Sequence, residues 1–225
     1  MINRKLNWDG CKNVRDLGGL RTTGGRTTCQ GALVRADTPT RLTPAGWQAL
    51  YEYGIRTIVT LRTDGMQEDE LDFALPYPDV ARVQAAIEDV TDREFVERWA
   101  STDYWCTPLY YSDALQRWPG RHAAAITALA QAQPGGVLFH CVRGADRTGI
   151  ISLLLLALAD VTPDEIAADY ALTVDPQRDE LLRRRQTTTR ETILGTLAGL
   201  DVERYLQQGG ASPADLAVLR QRLLG

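Results

Sequence analysis

The stretch from residue 137 to residue 158 constrains the fold more than any other part of the chain. It begins with Val-Leu-Phe at residues 137–139, a run that follows a Pro-Gly-Gly turn signal and is too short for a helix. Beyond a short loop, residues 150–159 are apolar at almost every position, which predicts a helix buried on nearly all faces. A strand that enters a helix through a short loop points several backbone N–H groups at one place, and this makes an anion site.

An earlier segment indicates how the sheet is built. Thr43 is a good N-cap and Pro44 suits the first position of a helix, which Gly54 is predicted to end. Residues 55–62 are rich in β-branched side chains and form the clearest predicted strand of the chain. Strand, helix and strand in this order, with short links, imply a mainly parallel central sheet flanked by helices.

The loop after residue 139 carries the residues with the most reactive chemistry. The thiolate of a cysteine such as Cys141 is its nucleophilic form, and a helix N-terminus with a nearby cation stabilises that form. Arg147, six residues later, can grip two phosphate oxygens with its planar guanidinium group. Thr148 can donate its hydroxyl to the sulfur, Gly144 leaves room for an anion to approach the backbone, and His140 can orient the loop. The structural alternative is a buried free cysteine at a strand end.

Residues 140–149 read H-C-x-x-G-x-D-R-T-G. This run resembles the signature loop of the cysteine-dependent protein tyrosine and dual-specificity phosphatases, and in particular the bacterial subgroup whose loop contains Asp-Arg-Thr-Gly. The run N-x-R-D-L-G-G-L at residues 13–20 and the R-x-D at residues 35–37 resemble the same subgroup. The resemblance implies an α/β fold of the protein tyrosine phosphatase type, formed by one domain over residues 1–225, with extra helices near the active site.

The resemblance also implies a mechanism and the residues that perform it. The reaction is hydrolysis of a phosphomonoester through a phosphocysteine intermediate, with Cys141 as the nucleophile, Arg147 as the phosphate ligand and Thr148 supporting the thiolate. No metal and no cofactor are expected. The substrate-binding positions are the residues of the loop: Val142, Arg143, Gly144, Ala145, Asp146 and Arg147.

The general acid that protonates the departing oxygen has two candidates. Asp89 follows a predicted strand at residues 80–86 and matches the position of the acid in the family, although Ala86 replaces a proline often found nearby. Asp146, inside the loop itself, is the alternative, and the resemblance to the subgroup allows it to act instead of or together with the movable acid. A structural role remains for Asp89, because the loop around it is acidic and precedes another predicted helix.

The substrate class is less constrained than the chemistry. Protein phosphotyrosine is the first expectation, and a slot for it has candidate aromatic walls in Tyr104, Trp105, Tyr110, Tyr111 and Trp118, although ordinary core packing explains such residues equally. A small phosphorylated metabolite or a phosphoinositide are alternatives. Ala145 stands where many relatives carry a lysine suited to phosphoinositides. From other classes, a non-catalytic phosphate-binding module and a rhodanese-like sulfur carrier remain open.

Net charge, cysteine and histidine content and hydropathy restrict the partners, cofactors and location expected for the protein. The net charge of −4 argues against a partner such as nucleic acid. Two histidines and four scattered cysteines give no metal-ligand spacing. The first residues lack the apolar core of a signal peptide, and no apolar run is long enough to span a bilayer. These features favour a monomeric cytoplasmic enzyme whose partner is its phosphorylated substrate.

The remaining predictions concern the helical parts and the N-terminal segment. Helical insertions are predicted around residues 91–117 and 175–207, and the second is a possible lid over the active site. Residues 192–206 are predicted as one helical piece, and Ser212 as the N-cap of the last helix. Arg15 and Asp16 are predicted to form a structural ion pair that ties the N-terminal segment to the body of the protein.

Overall fold

The computed structural model describes residues 4–225 and is built around a five-stranded sheet. Its strands, in the spatial order β1-β2-β5-β3-β4, are β1 (Arg15–Asp16), β2 (Leu33–Ala36), β3 (Ile55–Asp64), β4 (Ala81–Asp89) and β5 (Gly136–His140). The short β1 is antiparallel to β2, whereas β2, β5, β3 and β4 run parallel. The prediction of an α/β fold with a mainly parallel central sheet is confirmed.

Helices cover both faces of the sheet. They are α1 (Pro44–Glu52), α2 (Arg93–Phe95), α3 (Tyr111–Arg117), α4 (Pro119–Ala130), α5 (Asp146–Leu158), α6 (Pro163–Ala171), α7 (Pro176–Arg184), α8 (Thr189–Leu197), α9 (Val202–Gln208) and α10 (Pro213–Leu224). Several begin where a capping side chain precedes a proline, as predicted for Thr43 and Ser212, whose hydroxyls accept hydrogen bonds from backbone N–H groups of the first turn.

The central strand and the helix that follows it form the middle of the core. All five residues of β5 are buried, and its alternation sends Leu138 to the α1 side and Phe139 to the opposite side of the sheet. Ten of the thirteen residues of α5 are buried, which confirms the prediction of a helix enclosed on nearly all faces. The cysteine is therefore held between two elements buried in the core.

Two local predictions are wrong. The segment 192–206 contains two helices, because the chain turns at Gly199, whose φ is +76°, and Asp201 then caps α9. Arg15 and Asp16 do not pair with each other. The Asp16 carboxylate accepts hydrogen bonds from the N–H groups of Gly18 and Gly31, whereas Arg15 points to the other side and pairs with Asp169 on α6. Alternation along β1 separates the two side chains.

The two predicted helical insertions meet near the cysteine. The guanidinium carbon of Arg185, just after α7, lies 4.4 Å from the centre of the Tyr104 ring. Between the insertions lies a cavity of about 220 Å³, whose lining includes Trp105, Cys106 and Arg143. Extra helices therefore flank this edge of the sheet, and the idea that residues 175–207 move as a lid stays a prediction. Within residues 4–225, no helix has the length and apolar character needed to cross a membrane.

Candidate active site

Polar residues collect where the parallel strands end. Asp37 follows β2, Cys141 follows β5, and Asp89 is the last residue of β4. Because the carboxyl ends of parallel strands share one edge of the sheet, this edge is where open α/β sheets bind ligands. Cys141 stands at its centre, since β5 lies between β2 and β3.

The cysteine loop, residues 141–147, turns its carbonyl groups outward. The amide of Asn13 donates to the carbonyl oxygens of Arg143 and Gly144 at 3.1 and 3.0 Å, and the backbone N–H of Thr38 donates to that of Val142 at 3.1 Å. In a planar trans peptide the N–H points away from the preceding C=O. The N–H groups of residues 143–145 are thus turned to the inner side of the loop, where an anion is expected.

Gly144 has a structural reason in addition to the predicted approach of an anion. Its φ is +65°, and a Cβ at this position would lie 2.4 Å from the carbonyl oxygen of Ala36 at the end of β2. Arg35 reinforces this contact, because its guanidinium donates to the Gly144 carbonyl at 2.9 Å. The loop is pressed against the neighbouring strand and requires glycine there.

The sulfur of Cys141 is buried and has a hydroxyl partner. Thr148 Oγ1 donates to Cys141 Sγ at 3.2 Å, which is the contact predicted from the sequence. His140 supports the same turn: its Nδ1 donates to the Cys141 carbonyl at 3.2 Å, so its Nε2 accepts from the Thr60 hydroxyl at 2.9 Å. Burial lowers the pKa of His140 to about 3, so the imidazole is neutral and holds the loop rather than exchanging protons.

Arg147 is held by groups that the sequence analysis missed. Its Nη1 donates to the Leu61 carbonyl at 2.9 Å and lies 2.6 Å from Glu68 Oε1, and its Nε lies 4.0 Å from Glu88 Oε2. Burial by itself lowers the pKa of Arg147, but Cys141 and the two carboxylates raise it above its usual range. The guanidinium is therefore charged and fixed in orientation. The only signal in the sequence is the presence of acids after the third strand and at the end of the fourth.

An irregularity between β3 and β4 decides which acid reaches Arg147. Arg62 is paired with Ala86 and Thr63 with Glu88, so the register passes over Ile87. This bulge resets the alternation of β4. Glu88 is buried and accepts a hydrogen bond from Tyr110 at 2.6 Å, and burial raises its pKa. The next residue, Asp89, points to a different environment.

Comparison with known proteins agrees with this geometry. A family model described as the tyrosine phosphatase family matches residues 6–225. The chain belongs to this family. A protein of Cupriavidus necator named as a candidate tyrosine-protein phosphatase is 31% identical over 204 residues, which cover 88% of this chain and 70% of the relative.

Two further relatives are also named as protein phosphatases. A tyrosine-protein phosphatase of Nostoc commune is 32% identical over 146 residues, 63% of this chain and 48% of the relative. The triple specificity protein phosphatase PtpB of Mycobacterium tuberculosis is 29% identical over 194 residues, 74% of this chain and 68% of the relative. The chain is therefore a phosphatase of the tyrosine phosphatase type that acts on phosphorylated substrates, and a non-catalytic binding module or a sulfur carrier is not favoured.

The two candidate acids of this phosphatase have opposite surroundings. Asp146, the first residue of α5, is half-buried, and its Oδ1 is shielded from solvent and has no hydrogen-bond partner among residues 4–225. Burial raises the pKa of Asp146, although Arg143 and Arg147 oppose the effect. The protonated form is thus favoured to a higher pH than in an exposed aspartate, in a carboxyl that adjoins the cysteine loop.

Asp89 is instead held in its charged form. It accepts hydrogen bonds from the hydroxyl and the N–H of Thr91 at 2.6 and 2.8 Å, and it pairs with Arg121 of α4 at 2.7 Å. These bonds from Thr91, followed by the charge of Arg121, lower the pKa of Asp89. The helix cap expected in this region is provided by Asp92, which accepts from the Phe95 N–H.

Most of the candidate aromatic walls belong to the core of the phosphatase. Tyr110, Tyr111 and Trp118 are buried, and the Tyr110 and Tyr111 rings meet edge to face. The packing alternative therefore describes these three residues. Trp105 is half-buried and lines the 220 Å³ cavity that also reaches Arg143. Within residues 4–225, no group of three or more acidic, cysteine or histidine residues is arranged to hold a metal ion.

Proposed function

We propose that this phosphatase hydrolyses phosphotyrosine in proteins through a phosphocysteine intermediate. The observation that carries the proposal is that Cys141 and Arg147 stand at the two ends of one loop whose carbonyls face outward. The loop thus offers a nucleophile, a fixed guanidinium and inward N–H groups to one phosphate group. Because these positive and N–H groups are already in position, they offset the repulsion between the negatively charged thiolate and the dianionic phosphate ester.

In the first step, the Cys141 thiolate attacks phosphorus in line with the departing tyrosine oxygen. A phosphorus–sulfur bond forms, the ester phosphorus–oxygen bond breaks, and Asp146 gives its proton to the leaving oxygen. Arg147 and the N–H groups of residues 143–145 hold the non-bridging oxygens, together with the other loop residues predicted to bind the substrate, Val142 and Asp146.

In the second step, the Asp146 carboxylate takes a proton from a water molecule whose oxygen attacks phosphorus. The phosphorus–sulfur bond breaks, inorganic phosphate leaves, and the sulfur becomes a thiolate again. Thr148 donates its hydroxyl to that thiolate, as its 3.2 Å contact with Sγ allows. Asp146 thus ends the cycle protonated.

The choice of Asp146 over Asp89 rests on their surroundings. An acid must hold its proton at working pH, and burial favours the protonated form of Asp146. Asp89 is stabilised as an anion by Thr91 and Arg121, and its contacts lie outside the cysteine loop. We therefore infer a structural role for Asp89.

The proposed substrate class follows from the loop and its rim. Ala145 removes the second cation that the resemblance associates with phosphoinositides, and Trp105 offers an aromatic surface beside Arg143. Since one relative is named a triple specificity phosphatase, phosphoserine and phosphothreonine peptides belong in the test. We also propose a cytoplasmic setting, because the thiolate requires a reducing compartment and all four cysteines are free. The single domain and the monomer stay predictions.

The test is hydrolysis of p-nitrophenyl phosphate and of a phosphotyrosine peptide, from pH 4.5 to 8 with a chelator present, by the wild type and by Cys141→Ser. Turnover by the wild type and its loss in the variant are expected. The variant should still bind phosphotyrosine peptide, because Arg147 and the loop N–H groups remain. Turnover that persists in Cys141→Ser would refute the cysteine mechanism.

A free cysteine elsewhere provides the matched control. Cys29 is half-buried near the C-terminus of the chain, where its N–H donates to the Leu223 carbonyl. Cys29→Ser should keep wild-type activity, so a loss in both variants would indicate general damage to the fold. A preference for small phosphate esters over every peptide would favour a metabolite phosphatase.

A further inference from the structure

A large cavity lies beside the cysteine loop, and the steps above place no part of the substrate in it. Its volume is about 650 Å³, and Val142, Arg143 and Ala145 form one wall. Opposite stand the N-terminal segment around Asn13 and the turn after α6. We call this space the basic groove, because its lining includes Lys5, Lys12, Arg15, Arg41 and Arg143 but only one acid, Asp37.

The groove is basic in a molecule whose net charge is −4, but Arg143 pairs with Asp175 and Arg15 with Asp169, so the charge open to a ligand is that of Lys12 and Arg41. Asp37 is occupied, since it accepts hydrogen bonds from the N–H groups of Lys12 and Asn13. Within residues 4–225, neither Lys12 nor Arg41 forms an ion pair, and both are exposed. Their charge is therefore available to a ligand.

Further positive charge surrounds Arg15, which is itself a lining residue of the groove. Arg4, Arg15 and Arg35 all pair with the single carboxylate of Asp169, at 3.2 Å for Arg15 and 2.9 Å for Arg35. Three buried or half-buried guanidinium groups thus share one negative charge. Burial, followed by repulsion from Arg35, lowers the pKa of Arg15 to about 10, which agrees with a local shortage of negative charge.

The rim of the basic groove is apolar. Leu172 and Val174, in the turn between α6 and α7, are 56% and 82% exposed, which places them among the few large hydrophobic side chains left open to solvent. Exposed apolar residues beside a charged concave surface mark a place for a ligand. The combination fits a peptide that carries both an apolar side chain and an anionic group.

We propose that the basic groove binds a second anionic group of the phosphorylated protein substrate, so that the phosphatase prefers phosphotyrosines flanked by acidic residues or by another phosphate. This inference rests on the proposed function. Val142 directly follows Cys141, so the groove and the nucleophile share one wall. Because the two sites adjoin, the second anion belongs on a residue close in sequence to the phosphotyrosine, within reach of an extended peptide.

The test compares three phosphotyrosine peptides of equal length. The first carries Asp and Glu within four residues of the phosphotyrosine, the second carries Asn and Gln there, and the third carries one phosphoserine among neutral residues. The first and third should have kcat/KM values roughly five- to tenfold above the second at 50 mM NaCl, with the difference shrinking at 500 mM. A preference limited to the third peptide identifies phosphate as the second anion.

The double variant Lys12→Gln/Arg41→Gln should remove most of that preference by raising KM for the charged peptides. Turnover of p-nitrophenyl phosphate, which is too small to reach the groove, should stay within twofold of wild type. The matched control is Arg204→Gln, an exposed arginine on α9 outside the groove, which should keep the full preference.

Two results would overturn the inference while leaving the phosphatase activity in place: equal kcat/KM for acidic and neutral peptides, or a preference that survives in Lys12→Gln/Arg41→Gln. Binding of the wild type to vesicles that contain anionic lipid, lost in the double variant, together with no peptide preference, would assign the groove to a lipid surface instead. Absence of turnover on p-nitrophenyl phosphate and on every peptide would refute the proposed function itself, and this inference with it.

Discussion

Asp146 and Asp89 carry the same side chain near one edge of the sheet, the first beside the central strand β5 and the second at the end of β4, and their surroundings differ. Asp146 is half-buried at the start of α5, with a shielded Oδ1 that has no hydrogen-bond partner in residues 4–225. Asp89 is tied by Thr91 and Arg121. The comparison teaches that a carboxyl group serves as a proton donor only where its surroundings leave its anion poorly stabilised. A carboxylate that accepts several hydrogen bonds releases its proton too easily to act as the acid.

The largest expected effect comes from Asp146→Asn. Because the amide cannot donate a proton as an acid does, kcat for a phosphotyrosine peptide should fall by about 10²–10³. The wild-type rate should also decline as pH rises through the raised pKa of Asp146, since the carboxyl then loses its proton, and this decline should be absent in the variant. Steady-state kinetics from pH 4.5 to 8 measure both.

The matched variant Asp89→Asn should keep kcat within about threefold, because its carboxylate only accepts hydrogen bonds. A larger loss of kcat in Asp89→Asn than in Asp146→Asn would contradict this assignment of the acid. In that case Asp89 reaches the substrate after a movement of its loop, and Asp146 is a structural residue.

Glu88→Gln tests whether the residue next to Asp89 on β4 positions Arg147. Glu88 precedes Asp89 directly, yet the bulge turns it toward Arg147. Removal of its charge weakens the orientation of the guanidinium, so kcat/KM should fall about ten- to a hundredfold, the cost of one hydrogen bond or ion pair to a charged group. Equal, small effects in Glu88→Gln and Asp89→Asn would mean that Glu68 and the Leu61 carbonyl hold Arg147 without Glu88.

Thr148→Val tests the second step separately. The substitution keeps the shape of the side chain and removes the hydroxyl that contacts Cys141 Sγ. Loss of one hydrogen bond to the leaving thiolate should slow hydrolysis of the phosphocysteine by about tenfold. Rapid-mixing experiments with p-nitrophenyl phosphate should then show a burst of p-nitrophenol release followed by a slower steady state. A slower burst phase would instead assign Thr148 to the first step.

The smallest effects concern stability, and they should have opposite signs. Asp146 binds its proton more tightly when folded, so its ionisation above the usual carboxyl range costs stability. Asp146→Asn should then raise Tm at pH 7.5. The lowered pKa of Asp89 contributes stability above that range, which is lost as pH falls through the lowered value.

Asp89→Asn should therefore lower Tm at pH 7.5, and the difference should shrink as pH falls below the usual carboxyl range. Changes of about 1 kcal/mol in each direction correspond to roughly 2–4 °C for a chain of this size. Scanning calorimetry of the two variants measures the shifts. A decrease of Tm in both variants would show that the Asp146 carboxyl is stabilised rather than strained by its site.

Much of the fold could be predicted because its signals are local. The buried run in α5, the β-branched strand at residues 55–62 and the capping residues Thr43 and Ser212 act within one or two turns of chain, and the structure has these elements. The prediction of one helical piece over residues 192–206 was wrong because its only break signal, Gly-Leu-Asp at residues 199–201, does not interrupt the apolar pattern.

By itself, the sequence determined the strand–loop–helix unit and the placing of Cys141, Arg147 and Thr148, because all three lie within eight consecutive residues of one turn. Tertiary structure alone decided the partners of Arg147 and the contrast between Asp89 and Asp146. Glu68 and Glu88 lie 79 and 59 residues before Arg147, and the one-residue bulge at Ile87 sets which acid points inward. Burial, which raises the pKa of one aspartate, and ion pairing, which lowers that of the other, exist only once distant segments pack together.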